Sequence, residues 1–568
     1  MLKKRLMNSL ICHMMKRRGT LAVHHLDRMS RRAVAVSGEM LRQILSDNCD
    51  TEYGRKHHFA EIRSFPEYRE RVPFTTYDDY APYIERMIRN NEGNLLTADP
   101  VVHYALTSGS VGVPKQIPVT QKALDQYLLY AGSMIFGVLD EYYRDTTGRT
   151  CANGFCLNTL EAPPKTASNG TPQGAISGAV LRPYTKLLGA YMTSPAELIF
   201  PTAEMDMPYL KLLFALSERN VTCMLSAFMT GLVDLMTYLE INWSRLCDDI
   251  EQGTIDKEIS LPGDLRSRFL ALRRPDPERA EELRKEFSRG FDTPIIPRIW
   301  KNFQWLAAIG TGGFTQYAIR MRKYTGKNIP YSYLNYAASE CLMGAARRTG
   351  DPSYVLLPDT GFFEFIPVDS KDENATCTIE EVEQGKDYEI VVTNLSGFYR
   401  YRIGDVVRVT GFYNEAPAIQ FLYRKNQMVS IAGEKTNGEA VQWMITKFHE
   451  DTGILVRDYS IYPDTDSKPG RYVVLIEPDG TIDPAMLSQY RDIVERRLGE
   501  ANPSFGAKIN RGILGRTRLC FVQRETYMLY RDTLVYRGVS QNQIKPVRII
   551  DTPMKKRFFF GLIDYEIE

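Results

Sequence analysis

The chain has 568 residues, of which 43% are hydrophobic and 25% charged, a composition typical of a globular protein with more than one domain. Its 71 basic and 69 acidic residues leave a formal net charge of +2, so no global field favours nucleic acid or an anionic membrane as a partner. Nine scattered cysteines without a Cys-x-x-Cys pair indicate free thiols in a reducing compartment and make a zinc site a poor interpretation. We therefore expect a cytoplasmic protein.

The N-terminal segment is basic, because its first 26 residues contain no aspartate or glutamate. A transit peptide or a basic helix that faces a membrane would have this composition. The pattern continues without a small-residue cleavage site, which favours an N-terminal helix docked on the domain. No apolar stretch has the length of a membrane-spanning helix, so stable membrane insertion is not expected.

The segment Thr107–Lys115 combines glycine, serine and one lysine directly after an apolar run. A backbone with so little side-chain bulk brings its N–H groups close to a polyphosphate, and Ser108, Ser110 and Lys115 add donors and a positive charge. Pro114 precedes the lysine, so the segment lacks the Gly-Lys-Ser/Thr end of a Walker loop. The segment predicts a loop that holds ATP phosphates, although a plain Gly/Ser turn explains it equally well when it is taken alone.

Hydrophobic periodicity predicts the elements that follow. It indicates an amphipathic helix, then loops and short strands, then a long helical region, at 121–144, 145–204 and 205–253. The charge-rich segment 273–289 is typical of a solvated helix face. Alternating apolar residues predict strands at 355–357, 362–366, 388–392 and 418–422.

Beyond a polar run near residue 425, a strand, a helix and a strand are predicted at 472–476, 486–498 and 519–523, enough for a small α+β domain. The predicted fold is therefore α/β, with a large mixed α/β N-terminal domain over 1–423, a hinge over 424–430 and a C-terminal cap over 431–568.

Two further strings can carry chemistry. The first, Tyr336-Ala-Ala-Ser-Glu340, places an aromatic ring four residues before a carboxylate, and the second, Tyr401-Arg-Ile-Gly-Asp405, ends a strand in a Gly-Asp turn. An aspartate there can accept both hydrogen bonds of a ribose diol. Each string also has an ordinary interpretation, the first as a helix start capped near Ser339 and the second as a simple turn.

Together, in this order and spacing, the glycine-rich loop and the two strings resemble the adenylate-forming superfamily. The rest of the chain is similar to the acyl-acid amido synthetases of the auxin-responsive-promoter type, best known from plants for coupling hormone acids to amino acids. The similarity extends over nearly the whole length and includes the strings at 51–55, 72–86, 239–250, 299–302, 311–313 and 537–546.

This resemblance implies the firefly-luciferase-like fold with a small mobile C-terminal domain, and a reaction in two steps. A carboxylate attacks the α-phosphorus of ATP to form an acyl-adenylate and pyrophosphate, and an amine, commonly an amino acid, then displaces AMP. It implies that Glu340 holds Mg²⁺ and that Lys545 reaches the α-phosphate. The nucleotide-binding residues that it implies are Ser108, Gly109, Ser110, Lys115, Thr311, Gly312, Tyr336 (adenine), Ser339, Asp405 (ribose) and Arg424 (ribose or phosphate).

Two positions depart from the superfamily pattern: Val111 replaces a second hydroxyl in the loop, and Asn426 replaces an aspartate at the hinge. Two other functions remain open, an acyl-CoA ligase with the same first step and a catalytically silent nucleotide-binding scaffold. The acyl acid and the amine are not readable from the sequence. The oligomeric state is not readable either, and a monomer is favoured.

Overall fold

A computed structural model describes residues 2–107, 115–370, 372, 374–425, 428–537, 539 and 544–568. The chain divides into two compact units. The first comprises Met1–Ile309, Met321–Ile403 and Val407–Gln420, and the second comprises Gly310–Arg320, Gly404–Val406 and Phe421–Glu568. The domain boundaries that we place at 423 and 431, and the hinge between them, stay predictions.

Helices occur in both units. In chain order they are α1 (Leu2–Ser30), α2 (Ala33–Asp47), α3 (Glu52–Lys56), α4 (Phe65–Arg71), α5 (Tyr77–Arg89), α6 (Gln121–Gln126), α7 (Ile135–Thr147), α8 (Ile176–Leu181), α9 (Thr185–Tyr191), α10 (Met207–Leu216), α11 (Met229–Gln252), α12 (Gly263–Ala271), α13 (Pro277–Phe287), α14 (Ile296–Ile299), α15 (Thr315–Thr325), α16 (Gly438–Thr452), α17 (Leu487–Ala501), α18 (Pro503–Asn510), α19 (Thr526–Tyr536) and α20 (Pro553–Phe560). Among the described residues, no helix combines the length and the apolar character needed to cross a bilayer.

Strands also occur in both units. In chain order they are β1 (Val101–Leu106), β2 (Gln116–Thr120), β3 (Phe155–Asn158), β4 (Lys165–Thr166), β5 (Pro172–Gly174), β6 (Val221–Phe228), β7 (Trp305–Ile309), β8 (Tyr331–Ser332), β9 (Asn335–Ala337), β10 (Leu342–Ala345), β11 (Tyr354–Leu356), β12 (Gly361–Pro367), β13 (Asp387–Asn394), β14 (Tyr401–Tyr413), β15 (Ala416–Arg424), β16 (Leu455–Asp464), β17 (Arg471–Asp479), β18 (Gly515–Val522) and β19 (Ile563–Ile567).

Three sheets belong wholly or mainly to the first unit within the described ranges. Their strand orders are β12-β13-β14-β15-β11-β10-β9, β3-β6-β7-β8 and β2-β1-β5-β4. The second of these is parallel throughout, and most residues of its strands β3, β6 and β7 are buried. A parallel sheet is covered on both faces, which explains why its strands read as continuous apolar runs. The four strands predicted between residues 355 and 422 are confirmed as β11, β12, β13 and β15.

The long helical region predicted over 205–253 is wrong in one part. It consists of α10, the strand β6 and α11. The strand sequence, Val221-Thr-Cys-Met-Leu-Ser-Ala-Phe228, is buried along most of its length. A buried strand and a buried helical segment give the same apolar run, so periodicity alone does not separate them.

The charged segment 273–289 is only partly a solvated helix face. It contains α13 as predicted, but the Arg279 side chain is buried and donates to the carbonyl oxygens of Leu216 and Ile299 at 2.8 and 3.0 Å. This arginine therefore joins α13 to neighbouring elements and is not solvated. A charge count does not reveal such a contact, because the carbonyl partners lie far away in sequence.

The amphipathic helix predicted over 121–144 is confirmed, with an internal change of geometry. The residues Tyr127–Met134 between α6 and α7 form π-helical turns. Such wide turns are rare and occur often at functional sites. They place Tyr127 and Tyr130 in the core of the first unit.

The N-terminal segment forms α1, which packs on the first unit as the docked-helix interpretation predicts. Ile11, Cys12 and their neighbours lie in a core shared with α7 and α9. At the crossing of α1 and α7, a β-carbon added to Gly137 would lie 2.4 Å from the carbonyl carbon of Gly19. Only glycine allows the two backbones to approach so closely.

We therefore expect Gly137→Val to lower the stability of the first unit by about 1–3 kcal/mol or more, because the added side chain forces the two helices apart. Thermal unfolding followed by circular dichroism measures the effect. The matched control is Gly189→Val in α9, where an added β-carbon meets no atom within 4 Å. Equal melting temperatures for the two variants would contradict the close crossing.

The second unit contains the sheet β16-β17-β18-β19, in which β17 and β18 are parallel and the other pairs antiparallel. One face packs on α16 and α17 through residues such as Met444, Phe448 and Leu498. The other face packs on α19 and α20, where Tyr527 and Phe559 are buried. The predicted strands at 472–476 and 519–523 and the predicted helix at 486–498 correspond to β17, β18 and α17, and the α+β class of this part is confirmed.

Candidate active site

Ser339 and Glu340 lie in a tight turn between the antiparallel strands β9 and β10. The Ala338 N–H donates to the Cys341 carbonyl oxygen at 2.9 Å and closes the turn. Both residues are half-buried. The interpretation of this string as a helix start capped near Ser339 is therefore wrong, and its carboxylate projects from a strand-to-strand turn.

Side chains from three other segments hold this turn in place. The Asn394 amide donates to the Glu340 carbonyl oxygen at 2.6 Å, and the Tyr127 hydroxyl donates to the Ala338 carbonyl oxygen at 2.6 Å. The Tyr401 hydroxyl lies 3.3 Å from Glu340 Oε1 and donates to it. The orientation of the Glu340 carboxylate is thus fixed by the fold and not by the turn alone.

Asn394 is a positioning residue that sequence reasoning missed. It ends β13, is buried, and its Oδ1 accepts from the N–H groups of Ser396 and Phe398 at 2.9 Å each. Its amide nitrogen is therefore available to donate to the Glu340 carbonyl oxygen. The signal in the sequence is the string Asn394-Leu-Ser-Gly, which is typical of a turn after a strand, but nothing local indicates the partner 54 residues away.

A small cavity, about large enough for one water molecule, lies against the turn. Its lining includes Gln126, Tyr127, Ser339, Glu340 and Asn394. Burial, followed by the neighbouring Cys341 and Glu340, raises the pKa of the Tyr127 hydroxyl well above its usual value. Tyr127 is therefore protonated at neutral pH and acts as a donor. The Gln126 Oε1 atom has no hydrogen-bond partner among the described residues, so the cavity wall offers an acceptor.

Two strained residues stand at the start of the strands that build this region. Leu334, with φ 59°, precedes β9, and Arg400, with φ 45°, precedes β14. Side chains of this size rarely adopt left-handed backbone conformations, and such strain often marks functional sites. The Arg400 side chain is buried, pairs with buried Glu364 at 3.0 Å and donates to the Arg69 and Val72 carbonyl oxygens at 2.9 Å. These contacts stabilise the strained residue.

The glycine-rich loop joins β1 and β2, in which Leu106 is paired with Gln116. Ser108, Gly109, Ser110 and Val111 lie outside the described residues. Lys115 is exposed, and its ammonium group lies 5.0 Å from the centre of the Tyr77 ring, within the range of a cation–π contact. The phosphate-binding role of this loop stays a prediction.

Tyr336 lies on β9 and is 8% exposed. Its ring centre is 6.0 Å from that of Tyr354, and Gly344 on the paired strand β10 leaves room for both residues, because an added β-carbon would lie 2.9 Å from Tyr354 Cβ. The ring is thus part of the sheet packing. Stacking of adenine on it stays a prediction.

Asp405 and Arg424 form an ion pair, a contact that no sequence pattern predicts. The Arg424 Nε atom lies 2.6 Å from Asp405 Oδ1, and Asp405 is 3% exposed. Asp405 does not end a strand as expected. The strand β14 begins at Tyr401 and continues to Tyr413, and Gly404 inside it has φ 80°. Glycine permits this local break in the pleat, which sets the position of the next residue.

Thr311 and Gly312 follow β7, in a turn where Gly312 has φ 57° and lies against Phe421. The next residue, Gly313, accepts two hydrogen bonds on its carbonyl oxygen from the Arg548 guanidinium, at 2.6 and 3.2 Å. Arg548 also donates to the Tyr459 carbonyl oxygen at 2.8 Å and pairs with Asp458. Sequence reasoning missed this arginine, which ties the segment after Lys545 to the Gly312 turn.

Lys545 is exposed and is preceded by Ile544, which is buried. Ile544 and Arg548 therefore anchor the backbone on both sides of the lysine, while its side chain is on the surface of the second unit. Asn426, the departure from the superfamily pattern at the hinge, lies outside the described residues.

Within the described part of the chain, no three His, Cys, Asp or Glu side chains lie together as a metal site. Glu340 is thus a single carboxylate, fixed at a cavity wall by Tyr401. One carboxylate suits Mg²⁺ only where substrate phosphates and water complete the coordination. The residues present fit that kind of site and do not form a protein cage for a metal.

Three family models match consecutive parts of the chain: the GH3 family N-terminal domain over residues 22–330, the central domain over 354–424 and the C-terminal domain over 439–554. The chain is 31% identical over 560 residues to a probable indole-3-acetic acid-amido synthetase GH3.1 of Arabidopsis thaliana, covering 94% of this chain and 92% of the relative. It is 31% identical over 555 residues to indole-3-acetic acid-amido synthetase GH3.8 of Oryza sativa subsp. indica, covering 93% and 90%.

Solved structures agree with these relatives. A GH3.15 acyl acid amido synthetase superposes with a TM-score of 0.83 at 26% identity, over 96% of both chains. A 2-hydroxyisobutyryl-CoA ligase in the postadenylation state gives a TM-score of 0.51 at 13% identity, over 93% and 90% of the two chains, which shows a shared fold alone. On the three consecutive domain matches and the relatives that extend along nearly its whole length, the chain belongs to the GH3 family.

Proposed function

We propose that this protein is an ATP-dependent acyl acid amido synthetase. It activates a carboxylic acid as an acyl-adenylate with release of pyrophosphate, and it transfers the acyl group to an amine with release of AMP. The enzyme is a ligase that forms a C–N bond, and the proposed amine is an amino acid. The observation that carries this function is the ordered match to all three GH3 domains, in a chain whose named relatives are amido synthetases.

The first step joins two anions, the acid carboxylate and the α-phosphate, so the enzyme must supply positive charge. The proposed sources are Lys115, Lys545 and a Mg²⁺ ion held by Glu340. Bound there, the ion would neutralise phosphate charge. The protein's own contribution is to hold the Glu340 carboxylate at one orientation through Asn394 and Tyr401, so that no reorganisation is needed when ATP arrives.

Asp405 is the proposed acceptor for the ribose hydroxyls, and Arg424 is the proposed residue that orients it. The arginine uses Nε for the carboxylate, and a guanidinium has further N–H donors for ribose or phosphate oxygens. The other residues of the proposed nucleotide-binding set are Ser108, Gly109, Ser110, Thr311, Gly312, Tyr336 and Ser339. The proposal also includes a movement of the C-terminal domain about a hinge near Arg424. It further includes a cytoplasmic location and a monomeric state.

We expect Asp405→Asn to weaken ATP binding by about tenfold to a hundredfold, because hydrogen bonds to a charged group are worth roughly 1.5–3 kcal/mol. Titration calorimetry with ATP measures the effect. The matched control is Asp387→Asn, which removes a carboxylate paired with Arg408 at 2.7 Å on neighbouring strands outside the proposed site. Unchanged ATP affinity in the Asp405 variant would remove this residue from the nucleotide site.

Two measurements made in sequence separate the amido synthetase from an acyl-CoA ligase and from a silent nucleotide-binding scaffold. Exchange of labelled pyrophosphate into ATP, measured with a library of carboxylic acids, detects the first step. If no acid supports exchange, the protein is a silent nucleotide-binding scaffold. With an active acid, product formation with amino acids supports the synthetase, whereas product formation with coenzyme A alone would make the protein an acyl-CoA ligase.

A further inference from the structure

The outer face of α1 carries a row of exposed apolar side chains. Leu6, Leu10 and Leu21 are 64%, 64% and 60% exposed, and Met7 and Met14 are 41% and 38% exposed. At about 100° per residue these positions fall within about 100° of the helix circumference, on one face. Scattered apolar residues on a surface are normal, but a continuous row indicates an interaction surface.

The fold prevents this row from turning inward. The opposite face of α1 is fixed by Ile11, Cys12 and Leu26, which are buried, and by the close crossing of Gly19 and Gly137. The row is therefore a permanent feature of the surface of the first unit. The first GH3 family model matches from residue 22, so the row lies outside the residues that this model matches.

The charged side chains that α1 itself contributes at the row are basic. On α1, Arg17 lies within the row and Arg18 beside it, and both are exposed; the chain has no acidic residue before Asp27. Beside α1, the helix α9 and the turn before it expose Arg182 and Lys186. The Arg18 guanidinium lies 5.6 Å from the Tyr184 ring centre, so the basic residues of α9 and α1 belong to one surface.

The helix α9 also exposes an apolar side chain. Leu187 of α9 is 36% exposed, and residues 162–196 contain no aspartate or glutamate. The helix α7, which packs beneath α1, has three acidic side chains: Asp140 pairs with Arg144 and Glu141 with Arg347, and Asp145 is exposed. Exposed leucines and methionines flanked by arginine and lysine are the composition of a helix that lies in a membrane interface.

We propose that this face of α1, with Arg182, Lys186 and Leu187, docks the protein reversibly on an anionic phospholipid surface. The leucine side chains enter the boundary between headgroups and acyl chains, and the arginine side chains pair with lipid phosphates and carboxylates. A second copy of the chain fits the face less well, because the two surfaces would bring like charges together. The proposal is independent of the ligase function.

The test is co-sedimentation of the full chain with vesicles of phosphatidylcholine alone and of phosphatidylcholine mixed with phosphatidylserine. We expect binding to the mixed vesicles to exceed binding to the neutral vesicles by about tenfold and to fall as salt is added, as for other basic surfaces near anionic lipid. The double variants Leu6→Ser with Leu10→Ser, and Arg17→Glu with Arg18→Glu, should each reduce binding to the mixed vesicles by about tenfold or more.

The matched control is Ile241→Ser, which removes a side chain 69% exposed on α11 and should leave binding unchanged. All variants should keep wild-type pyrophosphate exchange, because none touches the proposed active site. Equal binding to neutral and anionic vesicles, or no binding to either, would overturn the proposal. Self-association in solution that the Leu6 and Leu10 double variant abolishes would assign the face to a second copy instead.

Discussion

Replacing Glu340 by glutamine is expected to lower the rate of acyl-adenylate formation by on the order of a hundredfold or more. The amide keeps the size of the side chain but loses the negative charge that is proposed to hold Mg²⁺ against the ATP phosphates, and a hundredfold loss corresponds to about 2.7 kcal/mol of barrier. Pyrophosphate release with a saturating acid, measured over a range of Mg²⁺ concentrations, reports the effect. Raising Mg²⁺ should restore part of the rate, because the phosphates themselves bind the ion.

The control for this variant is Tyr401→Phe, which leaves the carboxylate in place and removes the hydroxyl that lies 3.3 Å from Glu340 Oε1. A neutral hydrogen bond of this kind contributes about 1 kcal/mol, so this loss should be tenfold or less. Wild-type rates for the Glu340 variant at limiting Mg²⁺ would show that the carboxylate does not hold the ion.

Glu340 and Asp405 are candidates because their strings, taken together with the glycine-rich loop, resemble the adenylate-forming pattern, and their roles stay predictions. The contacts that fix them could not be found in the sequence. Asn394 reaches the Glu340 turn across 54 residues, and Arg424 reaches Asp405 across 19 residues. The first contact depends on where the β9–β10 turn meets the end of β13, and the second on how β14 and β15 align; no local pattern encodes either placement.

The secondary structure, too, could be predicted from the sequence in some places and not in others. Strands β12 and β13 are predictable, because apolar runs of the right length are bounded by turn residues. The strand β6 is not, because its side chains are buried on both faces and give no period that differs from a buried helix. The course of β14 is also hard to predict. The Gly-Asp pair at 404–405 is typical of a turn that ends a strand, whereas the strand continues through Gly404, with φ 80°.

Arg548 illustrates a further limit of sequence reasoning. The string around Lys545 is identified through its lysine, yet an arginine three positions later holds this part of the second unit together. It bonds to Gly313 and Tyr459 carbonyl oxygens and to Asp458. An arginine with several backbone hydrogen bonds holds the backbone in place, so the chain that carries the exposed Lys545 is anchored at Arg548.

The Lys545→Ala variant is expected to lose acyl-adenylate formation by on the order of a hundredfold or more and to keep the second half-reaction. In the proposed mechanism the ammonium charge acts on the α-phosphate while it is pentavalent, and that species forms only when the acid attacks ATP. In the second step the amine attacks the carbonyl carbon of a preformed acyl-adenylate. Two measurements separate the steps: pyrophosphate release from ATP and acid, and AMP release from a supplied acyl-adenylate and amine.

The matched control is Lys447→Ala on α16 of the same unit, a surface lysine paired with Glu450, which should leave both half-reactions unchanged. Arg548 provides a second comparison. Because it anchors the backbone beside Lys545, Arg548→Ala should also lower the melting temperature of the protein, whereas Lys545→Ala should not, since its side chain is exposed. Equal loss of both half-reactions in the Lys545 variant would mean that the lysine supports the structure of the second unit and does not act on the α-phosphate.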